Sequence, residues 1–285
     1  MNDAGTRTNA GASPDRRTLR SAIERIHGEC MRADPALRDA KHAEHGRAGM
    51  VTRFDSIVRA FLRSLPAGRP LDGLEVGVGE GALVLALHEF VPGVRWQGVD
   101  IPLRHSTYQQ EFDAIMARHS IRIVEADLTR NTIPFPDASF DAVSFSEVLE
   151  HLPANGVMPT LREIARILRP GGVVVATSPN LLSLMNRLLF LAGRSPFHLP
   201  VSENYNGSEV YPHIHLYAAF EFEALCRQAG LEPVDREHLT YLTHAFFGGD
   251  PLRNAVLRAS LVAEAVLGAV APALKDGWLV AARKP

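Results

Sequence analysis

The chain has 285 residues, of which 30 are basic and 32 are acidic, and its pI is about 6.6. This balance leaves no excess of positive charge to bind a phosphate backbone, so the composition argues against a nucleic-acid substrate. The two cysteines, Cys30 and Cys226, have no metal-ligand spacing. They argue against a disulfide framework and favour a reducing compartment, so we expect a cytoplasmic protein.

The N-terminal part of the chain divides into a tail and a helical segment. Residues 1–16 are rich in small polar residues and have no apolar signal core, which predicts a disordered tail. Apolar residues then recur at helical spacing near residues 19–26 and again near residues 57–62. These two runs predict an N-terminal helical cap over residues 17–68.

The most informative segment, residues 74–82, is an apolar run that enters three alternating glycines, Gly77, Gly79 and Gly81. Glycine at every second position lets the backbone turn sharply from a strand into a helix and lets a ligand touch bare peptide. One carboxylate, Glu75, stands ahead of the glycines, and another stands among them. The segment predicts a nucleotide-type cofactor loop that also holds a cation.

The charges in this loop decide between two cofactors. The glycine spacing also satisfies the GxGxxG/A fingerprint of dinucleotide-binding proteins, with Ala82 in the last position. A pyrophosphate would lie beside Glu75 and Glu80, where like charges repel in a partly desolvated loop. A ligand that carries an ammonium and a sulfonium would be attracted instead. The loop therefore favours S-adenosylmethionine, and a nicotinamide dinucleotide stays the alternative.

Two later segments predict strands that again lead to an acid. Residues 94–100 predict a strand that ends at Asp100, nineteen residues after Gly81, which leaves room for one helix and one turn. An acid in this position can accept both ribose hydroxyls of an adenosine. Residues 121–128 predict a third strand with Asp127 near its end.

Three segments, in this order, carry a resemblance to a known family. The ExGxGxG run of residues 75–81 resembles the first motif of class I methyltransferases, residues 139–152 resemble the fourth strand and following helix of type 11/12 methyltransferases, and residues 168–180 resemble their fifth strand. The resemblance implies that S-adenosylmethionine is the cofactor and S-adenosylhomocysteine the product, and it puts Asp127 near the adenine amino group. The cofactor site that we predict comprises Glu75, Gly77, Gly79, Gly81, Asp100, Ile101, Asp127, Leu128 and Ser146.

The resemblance also implies the fold. We expect an α/β protein with a Rossmann-like, mostly parallel sheet of seven strands, in which residues 231–242 and 277–283 form an antiparallel edge hairpin. Such an edge distinguishes the family from a dinucleotide-binding Rossmann domain. We predict a methyltransferase domain over residues 69–285, with substrate-side insertions at about 181–216 and 244–274.

Deprotonation of the acceptor needs a general base, and four side chains are candidates: Glu147, His151, His213 and His215. Glu147 and His151 stand four residues apart at the start of the helix expected after the fourth strand, which would put them on one face. His213 and His215 alternate along a short extended stretch, so one should face inward and the other outward.

Other polar residues near this loop have different expected roles. Tyr205 and Tyr211 are candidates for orienting a hydroxyl or amine of the acceptor. Asp137 and Asp141 are better explained by the turn before the fourth strand than by a metal site. We therefore expect no metal.

These patterns predict an enzyme that transfers a methyl group from S-adenosylmethionine to a small-molecule acceptor, with oxygen favoured and nitrogen or carbon left open. The resemblance implies a role in tailoring secondary metabolites or lipid and saccharide precursors. Two alternatives stay open: an NAD(P)-dependent oxidoreductase, and a noncatalytic cofactor-binding module with residues 246–274 as its contact surface.

The most apolar window, residues 256–274, is interrupted by Arg258, Glu264 and Pro272. These interruptions make it a poor transmembrane segment, and we expect none in the chain. Peripheral lipid contact and a homodimer through this part of the chain stay open.

Overall fold

The structure is a computed structural model that describes residues 16–33, 40–101, 108–128, 132–196, 213–240 and 255–285, the last range without 256–258, 261 and 265. The predicted tail lies outside the described residues except for Arg16, where the first helix begins.

Seven strands form one sheet in the order β3-β2-β1-β4-β5-β7-β6. Their bounds are β1 Leu71–Val76, β2 Val94–Asp100, β3 Ile123–Glu125, β4 Phe140–Ser146, β5 Leu168–Pro179, β6 Glu232–Leu239 and β7 Gly277–Arg283. Neighbouring strands are parallel except at β7, which runs antiparallel to both β5 and β6. The predicted Rossmann-like, mostly parallel sheet with an antiparallel edge is confirmed.

Seven helices accompany the sheet within the described ranges that precede residue 255. Their bounds are α1 Arg16–Ala33, α2 Ala40–Ser64, α3 Ala82–Phe90, α4 Tyr108–Arg118, α5 Ala154–Ile167, α6 Leu184–Leu191 and α7 Ala219–Gln228. Short 3₁₀ turns lie at Leu149–His151 and Pro272–Leu274. None of the helices that the structure describes combines the length and apolarity needed to cross a membrane.

Helices cover both faces of the sheet, so the central strands are buried and apolar on both sides. On one face, Leu19 of α1 and Phe61 of α2 belong to the same buried cluster as Leu83 of α3 and Val175 of β5. Phe61 also meets Trp96 of β2 edge to face, with 5.2 Å between ring centroids. Helices α5 and α7 pack on the opposite face. The two N-terminal helices therefore share the core of the sheet.

Asp141 organises the charges at the start of β4, at the edge of the sheet opposite the strand ends that carry the predicted site. Its carboxylate is 3% exposed and pairs with the guanidinium groups of Arg69 and Arg169. It also accepts a hydrogen bond from the backbone N–H of Asp72 at 2.9 Å. Asp137 instead pairs with Arg166. Both acids thus have partners in ion pairs, although Asp141 lies within β4 and not in the turn before it.

We expect Asp141→Ala to lower the free energy of unfolding by about 1–3 kcal/mol, because the variant removes the hydrogen bonds from both arginines and leaves the backbone N–H of Asp72 without its acceptor. Asp137→Ala is the matched control. Its side chain is 79% exposed, and its loss should change stability by less than about 1 kcal/mol. Chemical denaturation of both variants measures these differences, and equal stability of the two would contradict the role given to Asp141.

The stabilisation by Asp141 should also depend on pH. Burial tends to raise the pKa of Asp141, but the hydrogen bonds from Arg69 and Asp72 and the charge of Arg169 hold it below its ordinary value. A lowered pKa in the folded state contributes stability above the unfolded pKa of about 3.9, and that stability is lost as the pH falls through the folded pKa. The stability difference between the wild type and Asp141→Ala should accordingly shrink below about pH 4.

Candidate cofactor and acceptor site

The predicted site residues gather where β1, β2 and β4 end. The strand order reverses between β1 and β4, since β2 and β3 continue the sheet on one side and β5 continues it on the other. In open parallel sheets, ligands bind in the crevice at such a reversal, beyond the carboxyl ends of the strands.

Gly77 and Gly79 are required in the loop for different structural reasons. All three loop glycines have positive φ, at 78° for Gly77, 51° for Gly79 and 81° for Gly81. A Cβ on Gly77 would collide with the side chain of Val148, so this glycine allows the loop to pack against the segment after β4. A Cβ on Gly79 would meet nothing within 4 Å. The backbone at Gly79 is thus open on the side where a ligand can lie.

Glu75 is a buried carboxyl group next to this loop. It is 2% exposed, and its Oε2 atom accepts no hydrogen bond from the described residues. Burial raises the pKa of Glu75 well above its ordinary value, and the charge of Asp100 raises it further. The charge of Arg53 and the backbone N–H of Val84 oppose this rise. A cationic ligand would stabilise the ionised carboxylate, which fits the ammonium of S-adenosylmethionine.

Asp100 lies against the open glycine. Its two oxygens accept hydrogen bonds from the backbone N–H groups of Gly79 and Ile101, each at 2.7 Å. Burial raises the pKa of Asp100, and these backbone donors oppose the rise. A backbone hydrogen bond from Val78 also opposes the rise. A carboxylate offers about four acceptor positions, so acceptor capacity remains for a ribose hydroxyl. The geometry fits the predicted adenosine contact.

The remaining predicted cofactor residues lie on the neighbouring strand ends. Asp127 and Leu128 follow β3, which is shorter than the predicted strand, and the preceding N–H of Ala126 donates to the backbone oxygen of Asp100 at 2.7 Å. Ser146 ends β4, and its hydroxyl shares a hydrogen bond of 2.7 Å with Thr177. The structure therefore brings these residues to the same edge as Asp100, while their contacts to a cofactor stay a prediction.

Arg53 of α2 is a residue at this site that the sequence patterns do not identify. Its Nη1 atom lies 3.2 Å from Oε2 of Glu147, and its charge also opposes the raised pKa values of Glu75 and Glu150. A single arginine within an amphipathic helix carries no motif. Only the packing of α2 on the sheet reveals that it faces the acids.

The expectation that Glu147 and His151 share a helical face is wrong. Glu147 has a φ of 56°, which is left-handed backbone and cannot continue into a helix. His151 ends the 3₁₀ turn, and α5 begins only at Ala154, after Pro153. Glu147 turns instead toward β5, where its Oε1 atom accepts a hydrogen bond of 3.0 Å from the Thr177 hydroxyl.

The two histidines after residue 212 have different surroundings. The ring of His213 lies 5.0 Å from that of His151, whereas His215 is exposed and contacts the ring of Tyr217 at 4.5 Å. Of these two, His213 is the one that the structure brings to another candidate base. The other acceptor-side candidates, Tyr205 and Tyr211, lie outside the described residues.

Glu150 contacts both His151 and the segment that follows His213. It was not among the predicted site residues. It is fully buried, and His151 Nε2 lies 4.0 Å from its Oε1 atom. Its backbone oxygen accepts hydrogen bonds from the N–H groups of Ile214 and His215, at 2.7 and 3.3 Å. It stands beside His151 in the sequence, but no spacing rule indicates that it is buried.

Comparison with known proteins supports the same family. The model of the type 11 methyltransferase domain matches residues 74–176. A probable S-adenosylmethionine-dependent methyltransferase of Mycolicibacterium smegmatis is 30% identical over 199 residues, which are 65% of this chain and 66% of that protein. The 27-O-demethylrifamycin SV methyltransferase of Amycolatopsis mediterranei is 32% identical over 111 residues, 39% of this chain and 36% of the relative. The chain thus spans just under two thirds of the first relative and about a third of the second.

Solved structures show the same fold at low sequence identity. An S-adenosylmethionine-dependent methyltransferase of Mesorhizobium loti superposes with a TM-score of 0.52 at 18% identity, over 80% of this chain and 96% of that one. The [4+2]-cyclase SpnF superposes with a TM-score of 0.54 at 18% identity, over 96% of this chain and 98% of that one. These likenesses concern the fold alone.

We expect Gly79→Val to weaken S-adenosylhomocysteine binding at least about 100-fold, or about 3 kcal/mol, because the side chain fills the open side of the loop. Gly93→Val is the matched control. Gly93 also has a positive φ and open space around its Cβ position, but it precedes β2 at the far edge of the sheet. Calorimetric titration of both variants separates backbone strain from loss of the ligand space, and equal affinities would contradict the loop assignment.

We expect Asp100→Ala to weaken binding of both S-adenosylhomocysteine and adenosine by about 1–3 kcal/mol, since both ligands contain the ribose. Glu125→Ala removes an exposed carboxylate at the end of the adjacent β3 and serves as the control. Unchanged affinity of Asp100→Ala for both ligands would show that another residue binds the ribose.

Proposed function

Because this chain belongs to the type 11 family of class I S-adenosylmethionine-dependent methyltransferases, we propose that it transfers a methyl group from S-adenosylmethionine to a small-molecule acceptor. Oxygen is the favoured acceptor atom. The observation that carries the proposal is the buried Glu75 carboxylate, which lies at an open glycine loop and has an oxygen that accepts no hydrogen bond from the described residues.

The charges at the loop favour this cofactor over a nicotinamide dinucleotide. Glu75 is buried, and Asp100 is close enough to raise its pKa. A pyrophosphate at Gly79 would add negative charge to two carboxylates in a poorly solvated crevice, which is unfavourable. A cationic ligand in the same place compensates that charge.

Methyl transfer makes modest demands on the protein. When S-adenosylmethionine is bound, its sulfonium would supply the methyl group, and the neutral thioether of S-adenosylhomocysteine would be the leaving group. The protein contributes by holding the acceptor in line with the methyl carbon, which can lower the activation barrier by several kcal/mol. It also contributes a base that takes the proton from the attacking atom of the acceptor. We place the acceptor beside the His151–His213 pair, because His151 follows the end of β4 and its neighbour Glu150 lies within the charge influence of Arg53, as Glu75 does.

The metabolic context that we propose is the tailoring of a secondary metabolite or of a lipid or saccharide precursor. The similarity to a methyltransferase named for a rifamycin substrate supports the first of these contexts. A noncatalytic cofactor-binding module is the second candidate. SpnF, a cyclase by name, has the same fold, so the fold does not by itself require methyl transfer. The exposed side chains of Val262, Val266 and Val270 favour a contact surface in that case.

Calorimetric titration with S-adenosylhomocysteine tests the cofactor, with NAD and NADP as parallel controls. We expect micromolar binding of S-adenosylhomocysteine alone, about 8 kcal/mol of binding free energy. Binding of a nicotinamide cofactor instead would overturn the proposal. A screen of hydroxyl and amine acceptors, read by mass spectrometry for methylated products, then separates an enzyme from a noncatalytic module.

With an acceptor from that screen, His213→Ala should lower turnover by about 10²–10⁴, the usual contribution of a group that assists proton transfer. His215→Ala is the neighbouring control and should leave turnover close to that of the wild type, because His215 is exposed and contacts Tyr217. Affinity for S-adenosylhomocysteine should not change in either variant. If turnover is unchanged in both variants, the segment that carries His213 and His215 does not belong to the acceptor site.

A further inference from the structure

Three potential metal ligands converge at the 3₁₀ turn that follows β4. A carboxylate oxygen of Glu150 and one ring nitrogen each of His151 and His213 all lie within 4.8 Å of one another. Glu150 is buried and the two histidines are half-buried, so the group is not a chance cluster of solvated surface charges. Two imidazoles and one carboxylate form a ligand set typical of divalent transition metals.

The backbone holds these ligands in place. The main-chain oxygen of Glu150 accepts hydrogen bonds from the N–H groups of Ile214 and His215, which fixes the segment that carries His213 beside the 3₁₀ turn that carries His151. The Ser178 hydroxyl donates a hydrogen bond of 3.0 Å to Oε2 of Glu150. Such an outer hydrogen bond orients a ligating carboxylate.

The other carboxylate oxygen supplies an independent indication of a ligand. Oε1 of Glu150 is buried and accepts no hydrogen bond from the residues that the structure describes, and it is the oxygen that lies 4.0 Å from His151 Nε2. A buried acceptor without a donor is energetically unfavourable, and more so when it is charged. Glu147 adds a second negative charge nearby. A cation between Oε1 and the imidazoles would compensate both.

We propose that Glu150, His151 and His213 bind a divalent transition metal, with Zn²⁺ as the cation that fits best. In a tetrahedral zinc site with bonds of about 2.0–2.1 Å, ligand atoms lie about 3.3 Å apart, so modest rotations of the two imidazoles bring them onto one ion. Mg²⁺ is disfavoured because it prefers oxygen ligands. This proposal replaces the expectation from sequence that the protein holds no metal.

Three protein ligands leave at least one coordination position open, as in catalytic zinc sites. An acceptor hydroxyl is a suitable occupant, because coordination lowers the pKa of a bound oxygen. This role, unlike the site itself, rests on the proposed function. An imidazole nitrogen bound to the metal cannot serve as a general base, so its loss would lower turnover through the metal.

The test is a measurement of metal binding to the full chain. The protein is first treated with a chelator to strip bound metal, and the chelator is then removed. We expect calorimetric titration with ZnCl₂ to show one site, and titration with MgCl₂ to show none. Cobalt(II) substitution should produce visible absorption bands of a nitrogen- and oxygen-ligated ion, which reports the ligand set in the unaltered protein. Absence of stoichiometric zinc binding, or a cobalt spectrum of the aqueous ion, would overturn the proposal.

Variants identify the ligands. We expect His213→Ala to weaken zinc binding at least 100-fold and Ser178→Ala to weaken it about 10-fold through the outer hydrogen bond. His88→Ala is the matched control, because His88 and His119 form a similar ring pair, with 5.7 Å between centroids, that is not part of a candidate metal site. Equal zinc affinities of His213→Ala and His88→Ala would overturn the assignment.

Titration of the same samples with S-adenosylhomocysteine keeps this test separate from that of the proposed function. Retained binding in His213→Ala shows that the variant is folded. A wild type that binds S-adenosylhomocysteine but not zinc would refute the metal site alone. A wild type that binds zinc but not S-adenosylhomocysteine would refute the proposed function alone.

Discussion

The burial of acidic side chains at the carboxyl ends of β1, β2 and β4 is the constraint on which the rest of the site depends. Glu75 and Glu150 are buried, and their pKa values are raised by burial and by the neighbouring acids Asp100 and Glu147, respectively. Arg53 opposes both rises, yet Glu75 and Glu150 each keep one oxygen without a hydrogen bond from the described residues. A cation in such a crevice would favour the ionised carboxylates, because it would compensate charge in a desolvated place. The proposed cofactor contact and the proposed metal site both rest on this electrostatic condition.

The opposite edge of the sheet shows the contrasting arrangement. There Asp141 is as buried as Glu75, but two arginines and a backbone N–H surround it, and its pKa is lowered. The charge is balanced, so that edge contributes to stability. The buried carboxylates at the two edges thus have different surroundings. At the Asp141 edge the protein supplies the positive charge from arginines, whereas at the Glu75 edge we propose that a bound ligand supplies it.

The N-terminal helices connect the core to the site. Because α2 packs on the sheet through Phe61 and its neighbours, it is positioned to present Arg53 to Glu147 at the crevice. A cofactor that brings its own positive charge would compete with Arg53 for these acids. We therefore expect cofactor binding to change the contacts of Arg53 in α2, a helix that belongs to the same core as the strands.

Much of the fold and of the cofactor loop could be predicted, because local patterns carry them. β2 and β7 match the predicted bounds, since apolar Val94 and Trp96 alternate with polar residues at the start of β2, and β7 is a mostly apolar run. The acceptor side was harder to predict. The helix expected at Glu147 begins only at Ala154, because Glu147 adopts a left-handed conformation that its residue type does not indicate. Glu150 and Arg53 belong to no motif, so their importance is invisible until their neighbours are known.

By itself, the sequence determined the order of strands and helices, the glycine loop and the acids that follow the strands, because spacing along the chain dictates all of these. The tertiary structure alone decided which charges are buried, which are compensated, and that His213 meets His151 across more than sixty residues of chain. The physical reason is that desolvation and ion pairing depend on everything packed around a group, and most of what surrounds Glu75 and Glu150 comes from distant segments.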